Sequence, residues 1–185
     1  CTNNLKQLGL ALHNHNDSVG RVPPGGCDGP WTISCCDAES RLGWNWSYYI
    51  LPYIEQGALY SNTTDSTHYA TPVATFFCPT RRQPKVYGGV AHTDYAGNGG
   101  LQAGDHGRTG VFVRNWTNSP AIPTANPTLQ TRKFGDITDG LSNTVAWGEK
   151  QIHPTTWGTA GGDNEPAPNN GGDVDVIRFG STNWA

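Results

Sequence analysis

The opening of the chain carries its one clear helical pattern. Apolar residues recur there at the i, i+3 and i+7 spacing of an amphipathic helix, and the stripe consists of Cys1, Leu5, Leu8 and Leu12. The pattern predicts a helix over residues 1–16. Gly20 and the pair Pro23-Pro24 prevent its continuation, since proline lacks the amide hydrogen that a helix interior needs. Because the stripe already includes Cys1, we expect the helix to continue upstream of the first residue.

Composition restricts the structure of the chain beyond this helix. The 185 residues include 24 Gly and 13 Pro, and only 15% are charged, which favours turns and short strands over long helices. Seven Trp, seven Tyr and five Phe supply the apolar area that a disordered chain lacks. We therefore predict a single α+β domain over residues 1–185, with the helix packed on a strand-rich head, residues 17–185.

The elements of the head are predicted to be short. Alternating aromatic residues at Trp44, Trp46 and Tyr48 predict an extended segment, and a short helix over residues 51–60 comes after it. Further strands are predicted at residues 73–77, 93–96, 110–113, 132–134 and 144–147. Two segments are predicted as loops, the second at the surface: residues 25–43 and 159–175.

Charge argues against nucleic acid as a partner. The formal net charge is −3, and the densest basic cluster in the sequence is Arg81, Arg82 and Lys85. Binding to nucleic acid requires a basic stripe or patch that this sequence does not show. The same argument weakens binding to anionic membrane surfaces.

Five cysteines indicate an oxidising compartment: Cys1, Cys27, Cys35, Cys36 and Cys78. None forms a CxxC pair, which argues against a zinc knuckle or a thioredoxin-type site. Scattered cysteines in such a chain are typical of disulfides, although buried reduced thiols are the alternative. Adjacent Cys35 and Cys36 would strain to pair with each other, so we expect one of them to pair with Cys27. The odd number leaves one thiol unpaired or paired between chains.

Asparagine sequons and acidic segments suggest modification or metal binding. Four Asn-x-Ser/Thr sequons are acceptors where the organism glycosylates them: Asn16, Asn45, Asn62 and Asn115. Hard oxygen ligands that could bind calcium occur in two groups: Asp136, Asp139 and Asn143, and then Asp163, Asn164, Glu165, Asp173 and Asp175. The structural alternative for the first group is a helical turn capped by Asp136 or Thr138, with Gly140 allowing a tight backbone.

Candidate catalytic or transition-metal residues are few. Imidazole and carboxylate ligands suited to zinc or iron are offered by His92, Asp94, Asp105 and His106, although Asp94 is also suited to fixing a strand end. Glu55 and Glu149 are candidates for the carboxylate pair of a glycosidase. The sequence contains neither HExxH nor G-x-S-x-G. We therefore expect no enzymatic activity.

Four tryptophans lie near loops rich in Gly, Asn and Pro: Trp31, Trp116, Trp157 and Trp184. Tryptophan in such places stacks on sugars or fills subunit interfaces, and the alternative is local packing over the sheet. These residues are the candidates for a carbohydrate-binding surface.

Several segments together resemble one family. They occur in the family's order over about four-fifths of the chain: CTNNLKQLGLALHN at 1–14, GRVPPG at 20–25, LPYIEQ at 51–56, Leu59-Tyr60, FCP at 77–79, DITDGLSNT at 136–144 and Gly148-Glu149. The chain thus resembles the DUF1559 family, which is abundant in planctomycetes and related bacteria. The family's usual ending, a His followed about ten residues later by Asp-Gly, is missing here.

The resemblance implies a pilin-like or pseudopilin-like plan. Family members carry a prepilin-type leader and an apolar helix before the position of Cys1, so the membrane is contacted only through that upstream helix. The head is then a mainly antiparallel sheet with long loops, and Leu5, Leu8 and Leu12 belong to a self-assembly helix. The resemblance also implies a Cys1–Cys78 disulfide, worth about 4 kcal/mol in the chain-entropy model. Pseudopilins of type II secretion bind calcium in a head loop, which makes calcium the one expected ligand.

These features predict a structural subunit of an extracellular pilus-like or pseudopilus-like filament. Its expected partners are further copies of itself and a pilus or secretion assembly machinery. Its expected location is the cell surface, or the periplasm while membrane-anchored before assembly. The alternatives are a surface-anchored module that binds carbohydrate or another envelope component, and then a hydrolase.

Overall fold

The computed structural model describes residues 1–28, 38, 40–101, 108–116, 129–159, 161–168 and 171–180. Within these residues, the α-helices are α1 (Thr2–Val19), α2 (Trp46–Tyr49), α3 (Gly57–Ser61) and α4 (Asp65–Ala70). The strands are β1 (Cys27–Asp28), β2 (Tyr95–Leu101), β3 (Asn115–Trp116), β4 (Trp147–Glu149) and β5 (Ile177–Gly180). The same residues include the 3-10 turns Arg41–Gly43, Leu51–Ile54, Ala74–Phe76, Phe134–Asp136, Leu141–Asn143 and Pro154–Thr156. The α+β prediction is confirmed.

Helix α1 follows the predicted stripe, but it begins one residue later and ends three residues later than predicted. Leu8, Ala11 and Leu12 are at most 5% exposed and pack against the head. Gly20 ends the helix in the left-handed conformation, at φ 78°, and its amide donates to the Asn16 carbonyl. Glycine adopts this backbone without the steric penalty that a Cβ would bring. The helix therefore stops where the sequence predicts a break.

The main sheet has three strands in the order β4-β2-β5. Strands β2 and β4 run antiparallel, with Tyr95 opposite Glu149, whereas β2 and β5 run parallel, with Gly97 opposite Ile177. A second, two-stranded parallel pair joins β1 to β3. The head is thus built on a small mixed sheet, and the expectation of a mainly antiparallel one is wrong in this respect.

Most of the predicted strands form other structures. Residues 93–96 overlap β2 and residues 144–147 reach the start of β4, but residues 73–77 contribute mainly to a 3-10 turn, and residues 132–134 lead into another turn that begins at Phe134. Residues 110–113 lie along β2, where Phe112 donates its amide to the Asn98 carbonyl at 3.0 Å. A Cβ on Gly110 would come within 2.2 Å of the Gly99 backbone. The two backbone segments approach each other too closely and too irregularly there to form the regular hydrogen-bond ladder of paired strands.

The aromatic segment is helical, contrary to the prediction of an extended one. The Asn45 side chain accepts a hydrogen bond from the Ser47 amide and caps α2. Trp44 and Trp46 are at most 1% exposed, because the core surrounds this segment on several sides. Their alternating spacing therefore resembled that of a strand without indicating one. The helix predicted at 51–60 is interrupted by Glu55, which is left-handed at φ 62°.

The core is centred on Trp46. Its ring lies between 5.5 and 6.0 Å from the rings of Phe76, Phe112 and Trp147, and its indole nitrogen donates to the Val176 carbonyl at 2.8 Å. The segment at 159–175 was predicted as a surface loop, but among its described residues Asp163, Ala167 and Asp175 are at most 5% exposed, so this part is largely interior. The predicted loop at 25–43 likewise contains β1 and the first 3-10 turn.

Candidate functional site

Four buried charged side chains form a connected ion network: Arg82, Asp94, Lys150 and Asp163, each at most 4% exposed. The Arg82 guanidinium donates to both carboxylate oxygens of Asp163, at 2.6 and 2.8 Å. Its Nε lies 2.8 Å from an oxygen of Asp94, and the Lys150 ammonium lies 3.1 Å from Asp163. The network joins residues that are 81 positions apart in the chain.

Aromatic rings and backbone carbonyls close the network off from solvent. The Arg82 guanidinium lies 4.8 to 5.6 Å from the ring centres of Phe77, Tyr87 and Trp157. The Lys150 ammonium also donates to the carbonyls of Gly162 at 2.9 Å and Asp175 at 3.0 Å. Each charge lies beside an opposite charge within the protein, so the network fixes segments of the fold, although Arg82 Nε and Asp94 Oδ1 make no well-directed hydrogen bond to each other.

Burial and the neighbouring charges together shift the pKa values of these groups. Burial alone would raise the pKa of Asp163, but the hydrogen bonds from Arg82 and the charge of Lys150 lower the pKa below its usual value. Burial lowers the pKa of Lys150, which the carboxylate of Asp163 only partly opposes. Burial also raises the pKa of Asp175.

The ion network separates Asp163 from the other residues of the second predicted calcium group. The Asp163 carboxylate already accepts hydrogen bonds from Arg82, Lys150 and the Gly158 amide, so it is not available to a metal ion, contrary to the prediction. The remaining carboxylates do lie together: oxygens of Glu165, Asp173 and Asp175 fall within 4.8 Å of one another. Asp175 also accepts from the amides of Asn164, at 3.0 Å, and Glu165.

The first predicted calcium group forms two consecutive turns. The Asp136 carboxylate accepts from the Lys133 amide at 2.8 Å, and the Asn143 side-chain amide donates to the Asp139 carbonyl at 3.0 Å. Gly140 has φ 85°, which supports the structural alternative of a tight backbone here. Calcium at Asp136, Asp139 and Asn143 stays a prediction.

The candidate transition-metal residues are engaged by the protein. The two ring nitrogens of His92 lie 3.0 Å from the Glu165 carbonyl and 2.7 Å from the Tyr87 carbonyl. Asp94 accepts from the Cys78 amide at 2.7 Å besides its contact with Arg82. Asp105 and His106 lie outside the described residues. Neither His92 nor Asp94 is therefore placed to bind a metal ion.

The two candidate catalytic carboxylates line different parts of the surface. Glu55 is exposed and lines a hollow with Gln7 and Thr75 beside α1. Glu149 lies 3.7 Å from Arg81 at the end of β4. A glycosidase requires two carboxyl groups facing one glycosidic bond, and no shared hollow brings these two together among the described residues, so the pair stays a prediction.

A disulfide ties α1 to the head. Cys1 and Cys78 are bonded, as the resemblance implies, with their Cα atoms 4.8 Å apart. The Asn4 side chain donates to the Phe77 carbonyl at 2.7 Å and strengthens the same connection. Cys27 is buried, whereas its expected partners Cys35 and Cys36 lie outside the described residues.

Two of the predicted glycosylation sites are structural. Asn45 is fully buried, and its amide donates to the Ala167 carbonyl at 2.6 Å. Asn115 is 3% exposed and donates to the Val113 carbonyl at 3.0 Å. The folded protein has no space for a glycan at either position, so these two predictions are wrong. Asn16 and Asn62 are partly exposed.

The tryptophan surface is only partly described. Trp157 is half-buried, and its ring centre lies 5.7 Å from that of Tyr87. This contact supports the alternative that the residue packs locally. Trp31 and Trp184 lie outside the described residues, and so does the side chain of Trp116. The carbohydrate surface predicted from these residues therefore has no support from Trp157.

A groove that the sequence did not reveal lies beside residues 129–133. One half is a cleft of about 490 Å³ whose charged lining residues are Arg21, Arg108, Arg132, Lys133 and Asp136. The other half is a hollow of about 570 Å³ whose rings come from Pro24, Tyr49, Pro52, Tyr53 and Tyr60. Arg21, Leu129 and Thr131 line both halves. The cations come from positions 21, 108, 132 and 133, so no continuous segment of the sequence reveals them as a cluster.

Comparison with known proteins identifies a family and no function. None of the helices that the structure describes combines the length and apolar content needed to cross a bilayer. No curated protein and no solved structure matches the chain. A family model described as "Protein of unknown function (DUF1559)" matches residues 1–184. The chain therefore belongs to the DUF1559 family.

Proposed function

We propose that this protein is a structural subunit of an extracellular pilus-like or pseudopilus-like filament that acts by self-assembly. The observation that carries the proposal is the surface of α1. One face is buried against the head, and the opposite face is exposed and has few charges. In the proposed assembly, an apolar segment preceding residue 1 anchors the subunit in the membrane, and assembly machinery then transfers it to the filament.

The outward face of α1 is suited to contact with neighbouring copies. Leu10 is 57% exposed at its centre, and the charged residues at exposed positions of the helix are Lys6 and Asp17. A surface with few charges and small polar side chains can be buried between subunits at a low desolvation cost.

The attachment of α1 to the head also supports the proposal. The Cys1–Cys78 disulfide and the buried Leu8 hold the helix in one orientation. A filament requires such rigidity, because small angular errors between helix and head would accumulate along the assembly. The buried ion network serves cohesion of the head, which favours a structural role over catalysis.

Electron microscopy of the full natural gene product in its host tests the proposal. We expect filaments with the head repeated on a helical lattice. Leu10→Glu should abolish them, because it places a charge in the subunit contact. Val145→Glu is the matched control, since Val145 is 66% exposed and lies just before β4 rather than on α1. Both variants should keep the thermal stability of the purified head.

Two outcomes would contradict the proposal. The first is the absence of filaments from host cells that display the protein at their surface. The second is that filaments persist unchanged in the Leu10→Glu variant. A surface-anchored module that binds carbohydrate is the second candidate, and the groove of basic and aromatic residues favours it.

A further inference from the structure

The basic half of the groove concentrates positive charge on a protein that is negatively charged overall. Four of the twelve basic residues line this cleft, and Asp136 is the one carboxylate among its described lining residues, although the chain carries a formal charge of −3. Converging cations in a concave surface attract anions more strongly than scattered ones do. Composition alone does not explain this arrangement.

The cleft is partly preorganised by the backbone. The Arg132 guanidinium donates to the carbonyls of Arg108 at 2.5 Å and Gly110 at 3.4 Å, which fixes the floor of the cleft. Asp136 is directed to the Lys133 amide. Arg108 and Lys133 are exposed beside this fixed guanidinium, so their charged ends can reach an anion in the cleft.

The ring-lined half of the groove indicates a second property of the ligand, an apolar face. The Tyr49 hydroxyl donates to the Leu42 carbonyl at 2.8 Å, and the Tyr53 ring lies 5.6 Å from His15, so both rings are held in place. Arg21 lies where the two halves meet. Each half lies within the ~300–1,000 Å³ typical of small-molecule sites.

We propose that the two-part groove binds an acidic polysaccharide chain. Carboxylate or sulfate groups of the polymer contact the cations of the cleft, where guanidinium groups match the two oxygens of such anions. A neighbouring sugar ring lies against the aromatic hollow, where its C–H faces meet tyrosine and proline rings. A free inorganic anion would use only the first half, so the juxtaposition of the two halves favours a polymer that carries both groups.

The binding partner is distinct from the filament contact. The aromatic hollow reaches only the C-terminal end of α1, at His15 and Val19, whereas the proposed assembly surface is the outward face around Leu10. Binding of polysaccharide therefore does not require assembly, and each can be measured without the other.

Calorimetric titration of the folded protein with oligogalacturonate tests this inference. We expect binding that weakens as salt is added, with no binding of a neutral maltooligosaccharide of equal length. Arg21→Gln combined with Lys133→Gln should weaken binding by about tenfold for each cation removed. Lys6→Gln combined with Lys85→Gln removes the same charge elsewhere and should stay within twofold of the natural protein.

Further titrations separate the polysaccharide from other anions. A sulfated oligosaccharide should bind as oligogalacturonate does, and Tyr53→Leu should weaken both while leaving the weak binding of inorganic sulfate unchanged. Equal loss in the two double variants would overturn the inference, because binding would then follow net charge alone. Polyglutamate binding as tightly as oligogalacturonate would overturn it as well, by assigning the groove to an acidic peptide. Thermal melting of every variant verifies that it is folded.

Discussion

Removing the carboxylate of Asp163 should destabilise the protein more than any surface charge change. In Asp163→Ala, the Arg82 guanidinium loses two hydrogen bonds and the Lys150 ammonium loses its closest carboxylate, while both stay at most 4% exposed. Removing one partner of a buried ion pair costs about 3–5 kcal/mol. Asp94 still contacts Arg82, and Lys150 can lose its proton because burial already lowers its pKa, so we expect a value near the lower limit.

Such a loss is large for a single domain. Stabilities of about 5–15 kcal/mol are typical, so a loss near about 3 kcal/mol removes roughly a fifth to three-fifths of the total. For a chain of this size, the loss corresponds to a fall in melting temperature of about 6–20 °C. Urea unfolding followed by tryptophan fluorescence measures it directly, because Trp46 lies in the core that the network closes.

The surface pair Arg41 and Asp65 provides the control. These side chains are 24% and 55% exposed, and such pairs contribute about 0–1 kcal/mol. Asp65→Ala should therefore change the free energy of unfolding by less than about 1 kcal/mol. If Asp163→Ala lost no more than Asp65→Ala, the buried network would not be holding the head together and the reasoning would be refuted.

Three further predictions concern the same fold. Cys1→Ser combined with Cys78→Ser should lower the free energy of unfolding by about 4 kcal/mol, and an equal urea midpoint with and without reductant would contradict it. Leu8→Ala should cost about 2–5 kcal/mol in urea unfolding, since Leu8 is fully buried, and a smaller loss would show that α1 is not docked. Burial lowers the pKa of His15 and His68 below the unfolded value of about 6.5, so the unfolded chain binds more protons than the folded one between the folded and unfolded pKa values. Stability should therefore fall as pH drops below about 6.5 and stop falling below the folded pKa values. Urea midpoints at pH 7.5 and 5.5 test this expectation. His15→Gln combined with His68→Gln should remove the part of the stability loss that these two histidines cause.

The sequence predicted features that depend on local order. The stripe through Leu8 and Leu12 predicted α1 because one face of that helix is buried and the other is exposed. Gly20 marked its end because the left-handed conformation there favours glycine. The family resemblance implied the Cys1–Cys78 bond, which no spacing rule gives.

The features that the sequence missed depend on distant partners. Trp44 and Trp46 are buried on several faces, so their alternation carried no information about a strand. Arg82 and Asp163 are 81 positions apart, and the acidic segment around Asp163 therefore looked like a surface loop. The cations of the groove remained unrecognised for the same reason, because only the fold brings Arg21 to Arg132.

The late position of Asp163 and Ile177 affects when the domain can form. Asp163 pairs with Arg82 and Lys150, and Ile177 pairs with Gly97 at the centre of the sheet. In a nascent chain that ends before residue 163, Arg82 and Lys150 lack the carboxylate of Asp163. The sheet in that chain also lacks its edge strand β5. Folding must therefore wait until nearly all of these residues have been synthesised, and such long-range closure is intrinsically slow.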